Sequence, residues 1–383
     1  MGASIDMLSS QPRVTHLPHT PSPLILVRLA GPRDRAEQAQ LSGHCFKKPV
    51  TAEALSWRYD QSPHGASISL LSGPEGQDGV CGYACNPRLL VPRGQRERAA
   101  SVGETGDVMT HPAWRKHGLF RALDARAMQE SAQRGWPCVY GLPNRKSAHI
   151  FVQMGWRVVG TIRTWTQWLE PDERARALRR REGRWRAWTA PWAFRVSRRA
   201  RIALERSEAL QAPRTTSRVW AHVPQEVERI ARSLESTHPL VLQRDAAWLQ
   251  WRFLQGVSQA FQVQGVYRAD QLVGYFVLQR PTSEGVVWLA DAAAVDADAW
   301  TACAAHALRQ ARAWGACALR ANAIDEGPWG RWLQQWGFTP PRAHDHLNVI
   351  LYTHDPQHPV AQLAQDARSW WFTDADRDDE TMG

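Results

Sequence analysis

Val108-Met109-Thr110-His111-Pro112-Ala113-Trp114-Arg115-Lys116-His117-Gly118-Leu119-Phe120 reads as the end of a strand, a turn and the start of a helix. A junction of this kind gathers the unpaired N–H groups of the first helical turn at one place, where the helix dipole adds partial positive charge. Gly118 allows close backbone approach, and Arg115 and Lys116 add cationic side chains. The stretch therefore suits a pyrophosphate-bearing ligand. A basic turn that merely starts a helix has the same local pattern.

Outward from this turn, the surrounding residues alternate between strand and helix. Strands are expected at Leu24 to Leu29, Ser67 to Leu71, Gly79 to Leu90, Ala99 to Thr110, Cys138 to Leu142 and Trp156 to Leu169. Helices are expected at Arg33 to Phe46, Thr51 to Tyr59, Gly118 to Gln133 and Ser147 to Met154. Leu119, Ala122, Leu123, Ala127 and Met128 form the apolar face of the third helix, and Gly135 closes it.

The same order returns in the second half, from about Val219 to Thr353. Leu55-Ser56-Trp57-Arg58-Tyr59 answers to Leu249-Gln250-Trp251-Arg252-Phe253, and Val80-Cys81-Gly82-Tyr83 to Leu272-Val273-Gly274-Tyr275. Gly135 answers to Gly315, and Val152-Gln153-Met154-Gly155-Trp156 to Gln334-Gln335-Trp336-Gly337-Phe338. Four matches in register indicate two copies of one α/β (α+β) fold, each with a mixed central sheet flanked by helices. The expected division is a disordered tail 1–23, a first copy 24–169, a basic connector 170–217, a second copy 218–355 and a flexible acidic tail 356–383.

The turn resembles the acyl-CoA loop of the GNAT N-acetyltransferase superfamily. Pro112, Arg115, Gly118 and Leu119 stand where that pattern asks, whereas Lys116 occupies a place that is more often Gly. Tyr140-Gly141-Leu142-Pro143-Asn144, then Ser147, then Gly155-Trp156 are similar to further signatures of the superfamily. The resemblance implies a sheet splayed between two neighbouring strands, with the pantetheine arm of acetyl-CoA or another acyl-CoA in the gap. Backbone groups of Val108, Met109 and Thr110 would pair with the arm. Arg115, Lys116, His117, Gly118, Leu119 and Phe120 would hold the pyrophosphate, and Asn144 and Ser147 would meet the arm from the other side. A general base is sought at Asp107 or Glu104, with His111 and His117 candidates by titration range alone. The helix after the Asn-bearing strand has no Tyr to protonate the leaving thiolate, which leaves Tyr140 or water.

The second copy lacks this chemistry. Its junction, Asp291 to Trp300, has no glycine and no basic residue, and three aspartates there would repel a pyrophosphate. Arg252, repeated from Arg58, is expected to be structural.

Composition narrows the remaining classes. The charge of +10 is concentrated, because Pro171 to Ser207 holds twelve Arg against four acids. That concentration speaks against a specific nucleic-acid-binding surface. Trp185, Trp188, Trp192 and Phe194 lie among these arginines, a pattern that suits peripheral contact with an anionic membrane through 171–207 as well as a connector packed on its neighbours. The six cysteines (Cys45, Cys81, Cys85, Cys138, Cys303 and Cys317) have no metal-ligand spacing, and no calcium loop is present, so no metal is expected. With neither an apolar span nor a secretory signal, a cytoplasmic place is expected. The leading expectation is a small-molecule amine acceptor for an acyl-CoA-dependent N-acyltransferase. The alternatives are a non-catalytic tandem GNAT binding or regulatory protein and an aminoacyl-transferase of the FemABX type.

Overall fold

The computed structural model describes residues 25–169, 215–339 and 346–377, without the side chains of 145 and 146. The expected tail 1–23 and residues 170–214 of the expected connector 170–217 lie outside the described residues, and 215–217 belong instead to the first strand of the second half. The first half runs β1 (Ile25–Leu29), α1 (Arg35–Cys45), α2 (Ala52–Asp60), β2 (Ile68–Pro74), β3 (Cys81–Pro92), β4 (Ala100–Thr110), α3 (Leu119–Gln133), β5 (Cys138–Gly141), α4 (Arg145–Gln153) and β6 (Arg157–Trp168). The second half repeats the order: β7 (Thr215–Val219), α5 (Val227–Thr237), β8 (Leu240–Leu242), α6 (Ala246–Leu249, continued by a wide turn at Gln250–Leu254), β9 (Phe261–Arg268), β10 (Gln271–Gln279) and β11 (Val286–Ala294). There follow α7 (Ala297–Ala313), β12 (Ala318–Ile324), α8 (Pro328–Gln335) and β13 (Leu347–Thr353). The paired glycines explain the shared helix ends. Gly135 and Gly315 close α3 and α7 at φ of 72° and 71°, a left-handed conformation that a side chain disfavours.

Twelve of the described strands join one mixed sheet in the order β1-β2-β3-β4-β5-β13-β6-β12-β11-β10-β9-β7, and β8 pairs with β3 off this path. Helices pack on it, as expected of the α/β class. The closing strands, however, have exchanged places. β13, from the second half, pairs antiparallel with β5 of the first, Ile350 opposite Gly141. β6, from the first half, pairs antiparallel with β12 of the second, Ala318 opposite Trp168. β13 and β6 then pair with each other at the centre. The sequence reading had β6 closing its own half. Register and apolar pattern specify that β6 is a strand, but they say nothing of which neighbour it takes. The consequence is a shared core: one cluster combines Val102, Tyr140 and Ile162 with Leu240, Ile324, Val349 and Leu351.

The repeated Trp-Arg-aromatic motif sits at the contact between halves. Trp57 and Trp251 stack with centroids 4.8 Å apart. Each indole N–H donates to the other's backbone carbonyl at 3.1 Å. Arg252 is buried and donates to the carbonyls of Ala375 and Arg377, which gives it the expected structural role.

Residues 356–377 correct the expectation of a flexible tail. Pro359–Ala364 is a helix (α9), and Trp370–Trp371 (β14) pairs in parallel with β8. Trp370, Trp371, Phe372, Thr373, Asp374 and Asp376 are all buried. The acidic composition misled because these acids are neutralised internally: Asp376 meets Arg244 at 2.5 Å, with both side chains fully buried.

Candidate active site

The site begins with a short pairing. β4 and β5 run parallel over three residue pairs only, Gly103 with Val139, Glu104 with Tyr140 and Thr105 with Gly141. Beyond Gly141 the chain leaves the sheet through Leu142-Pro143-Asn144 into α4. From Gly106 to Thr110, β4 therefore has β3 on one side and an opening on the other. Backbone groups on that free edge are available to an extended ligand, as a sheet edge is to an added strand.

A bulge shapes the middle of this edge. The β3–β4 register shifts between Gly82 and Ala84, so Asp107 and Val108 together face Tyr83. Asp107 takes φ of 47°, and the bulge re-aims its side chain. Its Oδ2 accepts from Arg58 Nη1 at 2.5 Å and from Tyr59 OH at 2.6 Å, both on α2.

At the far end lies the turn quoted at the outset. Lys116 and Gly118 both adopt positive φ, 69° and 78°. Lys116 thus occupies the conformation for which the family's usual glycine is suited. Gly118 is the N-cap of α3 and has no side chain to accept from its first turn. In the second half the corresponding helix is capped by Asp296, whose carboxylate accepts from Ala299 N at 2.7 Å. The place an anion could take is thus filled there by the chain's own carboxylate and left uncapped at Gly118.

Wedge and turn open into one cleft of about 860 Å³. Asp107, Val108, Met109, Thr110, Arg115, Lys116, Gly118, Leu119, Phe120, Asn144 and Ser147 all line it. Besides Asp107, others of these have prior engagements. Arg115 Nε donates to Thr110 O at 3.3 Å, folding the side chain back on the strand end. Asn144 Oδ1 accepts from Ser147 N at 3.1 Å, capping α4.

Three expectations are corrected. Glu104 lies outside the cleft, buried and paired with Arg88 at 2.5 Å, so it is sealed away from any acceptor. The His117 side chain is exposed and leans toward Trp114, ring centroids 6.0 Å apart, which leaves it out of the cleft lining as a base; the contact expected of it with a pyrophosphate is through its main-chain N–H. Tyr140 is buried and its hydroxyl donates to Asp376 O at 2.9 Å, too occupied to serve as an acid. The sequence reading also missed Cys45 and Phe46 at the end of α1, and Leu142, Ile150 and Phe151 on the other wall. Ile150 and Phe151 were detectable as the apolar face of α4. Cys45 and Phe46 arrive from a distant segment with no pattern to mark them.

Asp124 on α3 is a second buried acid, outside the cleft. Burial pushes its carboxyl up to about 6. It accepts from Tyr83 OH at 2.9 Å and Trp156 Nε1 at 3.3 Å, bonds that tie α3 to the sheet.

Residues 27–159 match the family described as an acetyltransferase (GNAT) domain. No curated protein matches the chain. Among solved structures, a conserved protein of Enterococcus faecalis V583, described as a probable N-acyltransferase, is similar at a TM-score of 0.59 and 14% identity, covering 88% of this chain and 74% of that one. GCN5-related N-acetyltransferases of Kribbella flavida (TM-score 0.57, 12% identity, 90% of this chain and 74% of that one) and Anabaena variabilis ATCC 29413 (0.58, 13%, 86% and 73%) are also similar. Coverage this wide extends the likeness of fold over both halves. Among the described residues no helix is long and apolar enough to cross a membrane, and no group of His, Cys, Asp and Glu is placed to hold a metal.

Proposed function

We propose that the chain is an acyl-CoA-dependent N-acyltransferase, with acetyl-CoA as the donor to test first and a primary amine of a small molecule or amino-sugar precursor as acceptor. One observation carries this reading: the free edge of β4 and the uncapped start of α3 open into a single cleft. The edge from Gly106 to Thr110 fits an extended pantetheine arm, and the turn from Arg115 to Gly118 fits a pyrophosphate. In the transfer, the amine nitrogen bonds to the thioester carbonyl carbon, the carbon–sulfur bond breaks, and its electron pair leaves on sulfur. Holding the two reactants in line supplies most of the gain. The ammonium proton must also be removed. Asp107 is the carboxylate that lines the cleft, and its Oδ1 has no hydrogen bond among the described residues, while Oδ2 is held by Arg58 and Tyr59.

The hydrogen bonds from Arg58 and Tyr59 also favour a second reading, binding of acyl-CoA without transfer, because they already occupy Oδ2 of the carboxylate that lines the cleft. Release of free CoA from acetyl-CoA across a panel of primary amines separates the two. Turnover with at least one amine, reduced at least about tenfold in Asp107→Ala, supports catalysis with this base. Turnover unchanged in Asp107→Ala removes Asp107 from the mechanism, and acetyl-CoA binding with no turnover on any amine favours the second reading.

A further inference from the structure

The second half has its own wedge. β11 and β12 run parallel over three residue pairs, ending at Trp288 with Arg320, just as β4 and β5 part after Thr105 and Gly141. Counted from the helix-closing glycines Gly135 and Gly315, Asn322 stands where Leu142 stands, and Leu142 lines the open cleft of the first half.

In the second half these positions are bound to the chain's own C-terminal segment. Asn322 donates its backbone N–H to Asp374 Oδ2 at 2.9 Å and its side-chain amide to Asp374 Oδ1 at 2.6 Å. Across the gap, Thr373 Oγ1 donates to Asp291 Oδ1 at 2.9 Å. Arg244 Nη2 donates to Thr373 Oγ1 at 3.1 Å and to Asp376 Oδ2 at 2.5 Å. Arg252 holds the backbone through Ala375 O and Arg377 O, and Tyr140 of the first half holds Asp376 O. Thr373, Asp374, Ala375 and Asp376 are each 0% exposed. Asp374–Asp376 forms one turn of 3-10 helix capped by Thr373, so the segment is held as a turn, through its side chains and carbonyls, with one backbone N–H of β12 donating to it.

We propose that the wedge between β11 and β12 is a peptide-binding cleft whose ligand is the chain's own acidic segment Thr373–Arg377. The segment takes the place that the first half keeps open, so the second half is closed to a cofactor by occupation as well as by Asp296 at its helix start. Its chemistry selects an acidic peptide: Asn322 reads one aspartate, Arg244 the next but one, and Arg252 the carbonyls that follow.

Hydrogen–deuterium exchange on the full-length chain tests this. In the parent, peptides covering 320–324 and 370–377 exchange together and as slowly as the central strands. In Asp374→Ala both accelerate at least tenfold, while peptides around Trp57 keep their protection. A synthetic peptide of sequence 370–377, added at millimolar concentration to Asp374→Ala, restores protection at 320–324, and the same peptide carrying alanine for Asp374 does not. Should Asp374→Ala unfold the chain, Asp374→Asn keeps the volume and gives the same reading at smaller amplitude. Rapid exchange of 370–377 in the parent, unchanged protection at 320–324 in the variants, or equal rescue by both peptides would overturn the proposal.

Discussion

Replacing Trp57 by Phe removes one hydrogen bond and the outer part of an indole, and the relation between the halves fixes what that costs. Trp57 and Trp251 are 4% and 3% exposed, so water does not replace a lost donor at either place. Each indole N–H donates to the partner's carbonyl at 3.1 Å. Either Trp→Phe change leaves a buried carbonyl without that donor, which costs about 1–3 kcal/mol. Because the bonds are reciprocal, Trp57→Phe and Trp251→Phe are each expected to cost about this much. Urea unfolding followed by far-UV circular dichroism measures both. The exchange of β6 and β13 adds a further requirement, that the parent unfolds in one transition, since neither half completes its sheet alone. A neutral variant on one side of the pair, or two separate transitions in the parent, would refute the reasoning.

Other consequences follow from the same geometry. A fragment of residues 1–169 lacks β13 and exposes both the β5 edge and the β6 edge; it is expected to be insoluble or unfolded by circular dichroism, and a soluble, cooperatively folded fragment would count against strand exchange. His64 packs on Trp248, and burial, then the nearby Arg88 charge, pull its imidazole down to about 3. Its contribution to stability is complete above the unfolded value near 6.5 and is lost as pH falls below it, by about 1.4 kcal/mol per unit. His64→Phe therefore narrows the difference in urea stability between pH 7.5 and pH 5.5 by about that amount, and an unchanged difference would show that His64 is not the titrating group. A Cβ on Gly265 would lie 2.4 Å from the buried ring of Trp220. Gly265→Ala is expected to cost about 1–3 kcal/mol in the same assay, with a neutral result ruling out the close contact.

Much of this molecule was legible before the structure because local signals and global fold agree. The strand–turn–helix at Val108 to Phe120, the glycines at 135 and 315 and the Trp-Arg-aromatic pair each report a backbone requirement that only certain residues meet. Lys116 departs from the family pattern, yet it takes the same positive φ, so the turn persists with a less suited residue. What could not be read depended on long-range pairing. Nothing in Arg157–Trp168 or Leu347–Thr353 says that each crosses to the other half. The acids at 374 and 376 read as solvated because Asn322, which donates to Asp374, and Arg244, which neutralises Asp376, lie more than fifty residues away, although Arg377, which pairs with Asp374, is close by in sequence. Glu104 and Asp107 looked alike as candidate bases, and only the bulge after Gly106 sends one into the cleft and leaves the other buried against Arg88.

Titration calorimetry of the full-length chain with acetyl-CoA, repeated on Gly118→Asp, tests the central claim most directly. The account predicts one equivalent bound by the parent. It predicts none by the variant, whose new carboxylate would meet the start of α3 as Asp296 meets the start of α7. Circular dichroism checks that the variant is folded. No binding by the parent, two equivalents, or binding undiminished in a folded Gly118→Asp would contradict it.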